Sequence, residues 1–209
     1  PKPMDHGHSQ DSKHLDTGLT RRDFARQGLC LGVAGLGLGL GADLLAPDLA
    51  VASTRRTIRL PSTRGLWLYN KNTNEHSRVA HVRRGYYDLN ALTRLDWLLR
   101  DHHVDKYRRM SRRLYDILYV TQARFGADRP LVVTSGYRTR ATNEKLAEYI
   151  PGVAQNSLHI EGAAVDFQIP ERSPRTISNF LNDLGVGGVG RYASHVHVDV
   201  GKIRQWSRV

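Results

Sequence analysis

The sequence holds a single cysteine, Cys30, among 209 residues. That excludes an intramolecular disulfide and any zinc cage built from thiolates. A long hydrophobic run is also missing. The uncharged apolar stretch from Gly28 to Ala42 spans 15 residues and includes six glycines, short of the ~20 that cross a bilayer as a helix. Acidic side chains are outnumbered, 20 against 31 basic, for a formal charge of +11. Such a balance suits a polyanionic neighbour (nucleic acid, anionic membrane or acidic cell-wall polymer), and charge alone does not choose among them. No internal repeat is visible. What is present, 40% hydrophobic and 24% charged residues, argues against wholesale disorder and suffices for one core.

The apolar stretch has an address-like setting. Thr20-Arg21-Arg22-Asp23-Phe24 precedes it and Ala50-Val51-Ala52 follows it. A basic region, a short apolar core and a small-residue cleavage site have the layout of a secretory signal. The arginine pair and the weakly hydrophobic, Gly-rich core look like a twin-arginine signal, which exports proteins already folded. The expected organisation is an export signal over 1–52, a linker over 53–64 and one domain over 65–209, with no membrane span after cleavage. Residues 53–209 hold 26 basic and 14 acidic residues and no cysteine, so the basicity belongs to the exported part. Export to the periplasm or cell wall argues against nucleic acid as partner and names the twin-arginine export machinery as one.

Periodicity predicts one α+β domain with a small, mainly antiparallel sheet and helices packed around it. Leu66–Asn70 and Ser77–Val82 read as a hairpin around residues 72–74. Asp88 or Asn90 caps a helix reaching Arg100. A stronger helix is expected from Lys106 to Arg124, with Met110, Leu114, Ile117 and Leu118 on its core face and paired arginines on a solvated one. Pro130–Thr134 reads as a buried strand, Thr142–Tyr149 and Ser173–Leu184 as helices. After the glycines from Gly185 to Gly190, a final strand is expected from Arg191 to Val200.

Two segments carry chemistry. In Ser157-Leu158-His159-Ile160-Glu161-Gly162-Ala163-Ala164-Val165-Asp166, an imidazole and a carboxylate converge if the chain turns at Gly162; both are donors for a divalent metal. Alone, such a pair is more often a structural hydrogen bond than a metal site. In Ser194-His195-Val196-His197-Val198-Asp199, strand alternation puts His195, His197 and Asp199 on one face and the valines on the core face. Three polar groups in a row incur desolvation unless something satisfies them. A zinc ion held by His159, Asp166 and His197 does so and leaves a fourth position for water, the arrangement of catalytic rather than structural zinc. His195 is the candidate general base, against a packing or surface role; Asp199 either orients a histidine or is itself the base. His102, His103, His76 and His81 do not stand at ligand positions in this scheme.

The pattern Ser157-x-His159-x-x-Gly162-x-Ala164-x-Asp166 followed by His195-x-His197 resembles the zinc D-alanyl-D-alanine peptidases, and more closely their YcbK-like murein endopeptidase branch. The similarity runs from about Gly65 to Trp206. It includes Leu98-Leu99-Arg100-Asp101, Ser135-Gly136-Tyr137-Arg138, the Thr142-Asn143 pair and His197-Val198-Asp199-Val200-Gly201. The resemblance implies a zinc peptidase, one ion per chain, acting on peptidoglycan stem peptides or their crosslinks. It also implies that Arg138 faces a substrate carboxylate or the reacting carbonyl, against the plainer alternative of a structural ion pair, and that Ser157 lies beside the site. Many relatives place a glutamate base three residues before the last metal histidine, where this chain has Ser194; others use a histidine two residues before, which His195 satisfies. The expected function is murein endopeptidase. A carboxypeptidase trimming terminal D-alanine, or a wall-binding module without turnover, are the alternatives.

Overall fold

The structure is a computed structural model that describes residues 59–209. The expected export signal and residues 53–58 of the expected linker lie outside the described residues. The predicted hairpin forms: β1 (Arg64–Asn70) runs antiparallel to β2 (Glu75–Arg83), with Leu68 opposite Ser77. Arg64 already belongs to the strand, its guanidinium 2.9 Å from Asp116. A two-residue β3 (Tyr86–Tyr87) edges the sheet, and Asp88 then caps α1 (Leu89–Leu98) by accepting from the Ala91 amide.

The next helix, α2, spans Arg112–Phe125 and so begins six residues later than its periodicity predicts. The backbone of 106–110 is committed elsewhere. Lys106 bridges to Asp101, and the Met110 amide donates to Asp96 Oδ1 at 2.9 Å. Met110 is buried as expected, but from outside the helix. Strand β4 (Leu131–Ser135) follows, then α3 (Arg140–Tyr149), capped by the Thr139 hydroxyl. Strand β5 (Ala164–Gln168) comes next. Helix α4 (Pro174–Leu184) has a Ser173 cap at its start and left-handed Gly185 at its end.

The expected single strand over 191–200 is instead a hairpin of two, β6 (Gly188–Tyr192) and β7 (Val196–Asp199), and an unexpected β8 (Arg204–Arg208) follows. The sheet therefore has eight strands in the order β3-β2-β1-β4-β5-β7-β6-β8. It is mixed, which corrects the expectation of a small, mainly antiparallel one. Two pairings are parallel, β1 with β4 and β6 with β8. The first follows from the crossover through α1 and α2. The second arises because the chain leaving β7 crosses the start of β6, where Gly187 has no side chain to strike the Asp199 main chain.

Alternation along the strands decides where chemistry can sit. On β5, Val165 and Phe167 join the core with Leu66, Leu68, Leu114, Leu118, Ile177 and Leu181; on β7, Val196 and Val198 do so. Asp166, His197 and Asp199 consequently point to the opposite face. Burial of the apolar side drives the fold at roughly 25 cal/mol per Å², and register then fixes the polar face without further choice. Among the described residues, no helix is long and apolar enough to cross a membrane.

Candidate metal centre

Three supports bring the donors together. Strands β5 and β7 pair with Asp166 opposite His197. His159 arrives from a loop folded on itself, in which the amides of Glu161 and Ala163 donate to the Leu158 carbonyl and Gly162 N–H donates to the His159 carbonyl. Gly162 takes φ +66°, and a side chain there would press on the Arg109 carbonyl. This is the turn the sequence called for, and only glycine makes it without strain. The third support is the Ser135–Arg138 turn. Gly136 packs so close to the Leu99 backbone that a Cβ would strike the carbonyl, and Tyr137 N–H donates to that same oxygen at 2.7 Å.

His159, Asp166 and His197 are all buried and form a group able to hold a metal ion. His159 Nε2 lies 3.2 Å from His197 Nδ1 and 3.3 Å from Asp166 Oδ1; His197 Nδ1 lies 2.8 Å from Asp166 Oδ1. The outward nitrogens decide the protonation. His159 Nδ1 is 2.7 Å from the Gly136 carbonyl, which can only accept, so that nitrogen carries the hydrogen. His197 Nε2 is 3.0 Å from Asp199 Oδ2 and donates to it. In their neutral forms both rings therefore turn lone pairs toward the same carboxylate oxygen. Three lone pairs with no proton between them repel one another, and a cation is what such a donor set fits. Zinc ligands in a tetrahedral shell sit roughly 3.3 Å apart, given bonds of ~2 Å.

Taken by themselves, the three groups share charge unequally. Burial favours the neutral form of His159 and lowers its pKa. Burial would do the same to His197, but its bonds to Asp166 and Asp199 outweigh that and raise it. Asp166, against its own burial, is held well below the usual carboxylate range by the two histidines. Its second oxygen accepts from Arg138 Nη2 at 2.9 Å, while Arg138 Nε donates to Ser135 Oγ at 2.8 Å.

Asp199 is fully buried behind His197. Besides that ring it accepts from the amides of Gly188 and Gly201, both at 2.9 Å, and from Arg204 at 3.2 and 2.7 Å. These bonds hold its pKa far down despite burial. His195 stands just before β7, half-buried, and is not one of the three donors; burial lowers its pKa. The Ser157 hydroxyl accepts weakly from the His159 amide, at 3.4 Å.

The donors open into a cleft of about 960 Å³, also lined by Lys71, His102, Arg138, Ser157, His195 and Trp206. His102 and His103 thus border the cleft without joining the donors. His76 is exposed on β2, and His81 is fully buried beside Asp116. Four contributors escaped the sequence reading: the Gly136 carbonyl, Arg204, Trp206 (5.2 Å from the His197 ring) and Asp101. Asp101 binds the Thr139 amide and hydroxyl and so anchors the turn that carries Arg138. Gly136 and Asp101 lay within stretches that carry the family resemblance, but a backbone carbonyl and a carboxylate that anchors a distant turn leave no mark of their role in one.

A family model described as peptidoglycan L,D-endopeptidase MepK matches residues 59–206. Peptidoglycan L,D-endopeptidase MepK of Escherichia coli is 34% identical over 173 residues, which cover 81% of this chain and 92% of that protein. The protein of the same name from Shigella flexneri gives the same figures. The probable peptidoglycan L,D-endopeptidase MepK of Haemophilus influenzae is 33% identical over 176 residues, 82% of this chain and 94% of that one.

Proposed function

The chain belongs to the peptidase family of peptidoglycan L,D-endopeptidase MepK, and from that premise we propose that it is a zinc-dependent endopeptidase of peptidoglycan crosslinks. The observation that carries this reading is the pair of buried histidines, each with its outward nitrogen against an acceptor, facing one carboxylate oxygen. His159 Nε2, Asp166 Oδ1 and His197 Nδ1 are the atoms that would hold the ion. When bound there, zinc polarises a peptide carbonyl and makes water acidic enough to attack near neutral pH.

The remaining roles fall to the chain itself. His195 borders the cleft with an unprotonated ring favoured by burial, and takes the proton from the attacking water. Arg138 steadies Asp166 through Nη2, and its third nitrogen, Nη1, is assigned to a substrate carboxylate or the reacting carbonyl. Asp199 orients His197; its oxygens are engaged by five bonds, so orientation is preferred to the alternative of a proton-accepting role. Ser157 lines the cleft and steadies the His159 loop. Work on peptidoglycan requires export, and residues 1–52 are assigned as the twin-arginine-type signal that delivers the protein to the periplasm, with residues 65–209 as the peptidase.

Mass spectrometry of murein incubated with zinc-loaded protein, beside a chelated control, tests the reading. Conversion of crosslinked dimers to monomers is expected only with metal. Loss of a single terminal alanine would move the activity to carboxypeptidase. Binding to sacculi with no new amino termini would make the protein a wall-binding module.

A further inference from the structure

We propose that Tyr192 is a positioning residue that holds the His195 imidazole flat and in register with the metal donors. The inference rests on the reading of His195 as the proton acceptor. His195 sits at the end of the β6–β7 turn, where strand geometry fixes its Cα but not the rotation of its ring. Its neighbours in the turn, Ala193 and Ser194, are exposed, and Ser194 Oγ, 3.2 Å from His195 Nδ1, is carried on that same exposed turn. The ring contact comes from Tyr192. The two rings stack at 4.4 Å between centroids with planes 9° apart. Tyr192 N–H also donates to the His195 carbonyl at 3.0 Å, which closes the turn beneath the stack.

Tyr192 is itself held. Trp206 Nε1 donates to its hydroxyl at 3.2 Å. The indole reaches that position because it lies over Gly190, where a Cβ would come within 2.5 Å of two ring carbons. The same indole is 5.2 Å from the His197 ring. One aromatic wall thus runs from the donor His197 through Trp206 and Tyr192 to His195, tying a histidine whose ring the strand alone leaves unset to one fixed by Asp199. Misplacing a reacting group by about 1 Å costs on the order of 100-fold in rate, so this wall should act on turnover rather than on substrate affinity.

The test compares Tyr192→Leu and Tyr192→Phe with His195→Ala and the Tyr192→Leu/His195→Ala double variant in the full chain. Readouts are kcat and KM on a crosslinked muropeptide dimer, zinc content, and the histidine ring resonances in NMR spectra. Tyr192→Leu is expected to lower kcat by about 10- to 100-fold, with KM and zinc unchanged and with loss of the ring-current shift at His195. Tyr192→Phe, which keeps the flat ring but loses the bond from Trp206, should fall between Tyr192→Leu and the parent in both turnover and shift. In the His195→Ala background the leucine change should cost nothing more. Unchanged kcat in Tyr192→Leu, or an equal loss with and without His195, would overturn the proposal. Wild-type turnover in His195→Ala would instead remove the proton-acceptor reading and this inference with it.

Discussion

Asp199 and the Gly136 carbonyl do the same work on two histidines: each takes the hydrogen of the outward nitrogen and so turns a lone pair inward. Asp199 has the harder task, since every donor around it requires an acceptor at both oxygens. In Asp199→Asn one position becomes an NH₂ group facing donors. The expected result is a roughly 10- to 100-fold loss of zinc affinity, in the range for groups that orient ligands, read by competition with a chromophoric chelator. Stability should fall by about 1.5–3 kcal/mol, the scale of a hydrogen bond to a charged group, measured by urea denaturation. Undiminished zinc affinity would show that His197 does not depend on this partner. At this scale the sequence was informative about donors, because imidazole and carboxylate at strand and turn spacing limit what they can do. It left Arg138 open between a substrate contact and an ion pair, and its 2.9 Å bond to Asp166 comes from a residue 28 positions away.

The loop after α1 and the turn after β4 act as one element. Asp101 accepts from the Thr139 amide at 2.8 Å, the Thr139 hydroxyl at 2.9 Å and the His103 amide at 3.1 Å. Burial alone would raise its pKa, but these bonds and one from Thr142 leave it below the ordinary value of 3.8. A depressed carboxyl stabilises the fold at any pH above its unfolded pKa and loses that contribution as pH falls through the folded value. Asp101→Asn should therefore lower the melting temperature at pH 7 by several degrees, at about 2–4 °C per kcal/mol for a domain of this size. The gap to the parent should stay constant down to about pH 5 and close below about pH 4. A gap independent of pH into the acid range would mean that the carboxylate charge contributes nothing. Elements were legible where side chains alternate or cap: β1, β2, β4, α1 and α4. Strand β6, Gly188-Val189-Gly190-Arg191-Tyr192, was not, because its glycines read as chain breakers. They are there because Asp199 and Trp206 occupy the space their side chains would fill. Strand β8 is mostly exposed and has no apolar alternation to announce it.

For the molecule as a whole, the excess of basic residues over 53–209 matters for approach to an acidic polymer rather than for the bond cleaved. Some of these charges are already matched within the chain, Arg100 by Asp105 and Arg204 by Asp199, although Asp105 and Arg204 themselves reach solvent. The exposed remainder is screened beyond ~10 Å at 0.1 M salt. Digestion of intact sacculi is expected to slow roughly 10-fold between about 0.05 and 0.5 M sodium chloride, whereas hydrolysis of a soluble crosslinked dimer should change far less. Turbidity clearing for the first and chromatography for the second supply the comparison. Equal salt dependence of both would place the effect in the cleft instead of on the surface.

The amino-acid sequence by itself determined the donor types, their spacing, the glycine turn between His159 and Asp166, and which face of β5 and β7 is polar. These follow from local rules: period-two alternation and the backbone freedom of glycine. Tertiary structure alone decided which nitrogen of each histidine faces inward, that Arg138 binds Asp166, and that a C-terminal strand supplies Arg204 and Trp206 to the site. It also decided that the sheet is mixed. Each of these depends on contacts between segments far apart in the chain, set by how helices and strands bury their apolar faces together.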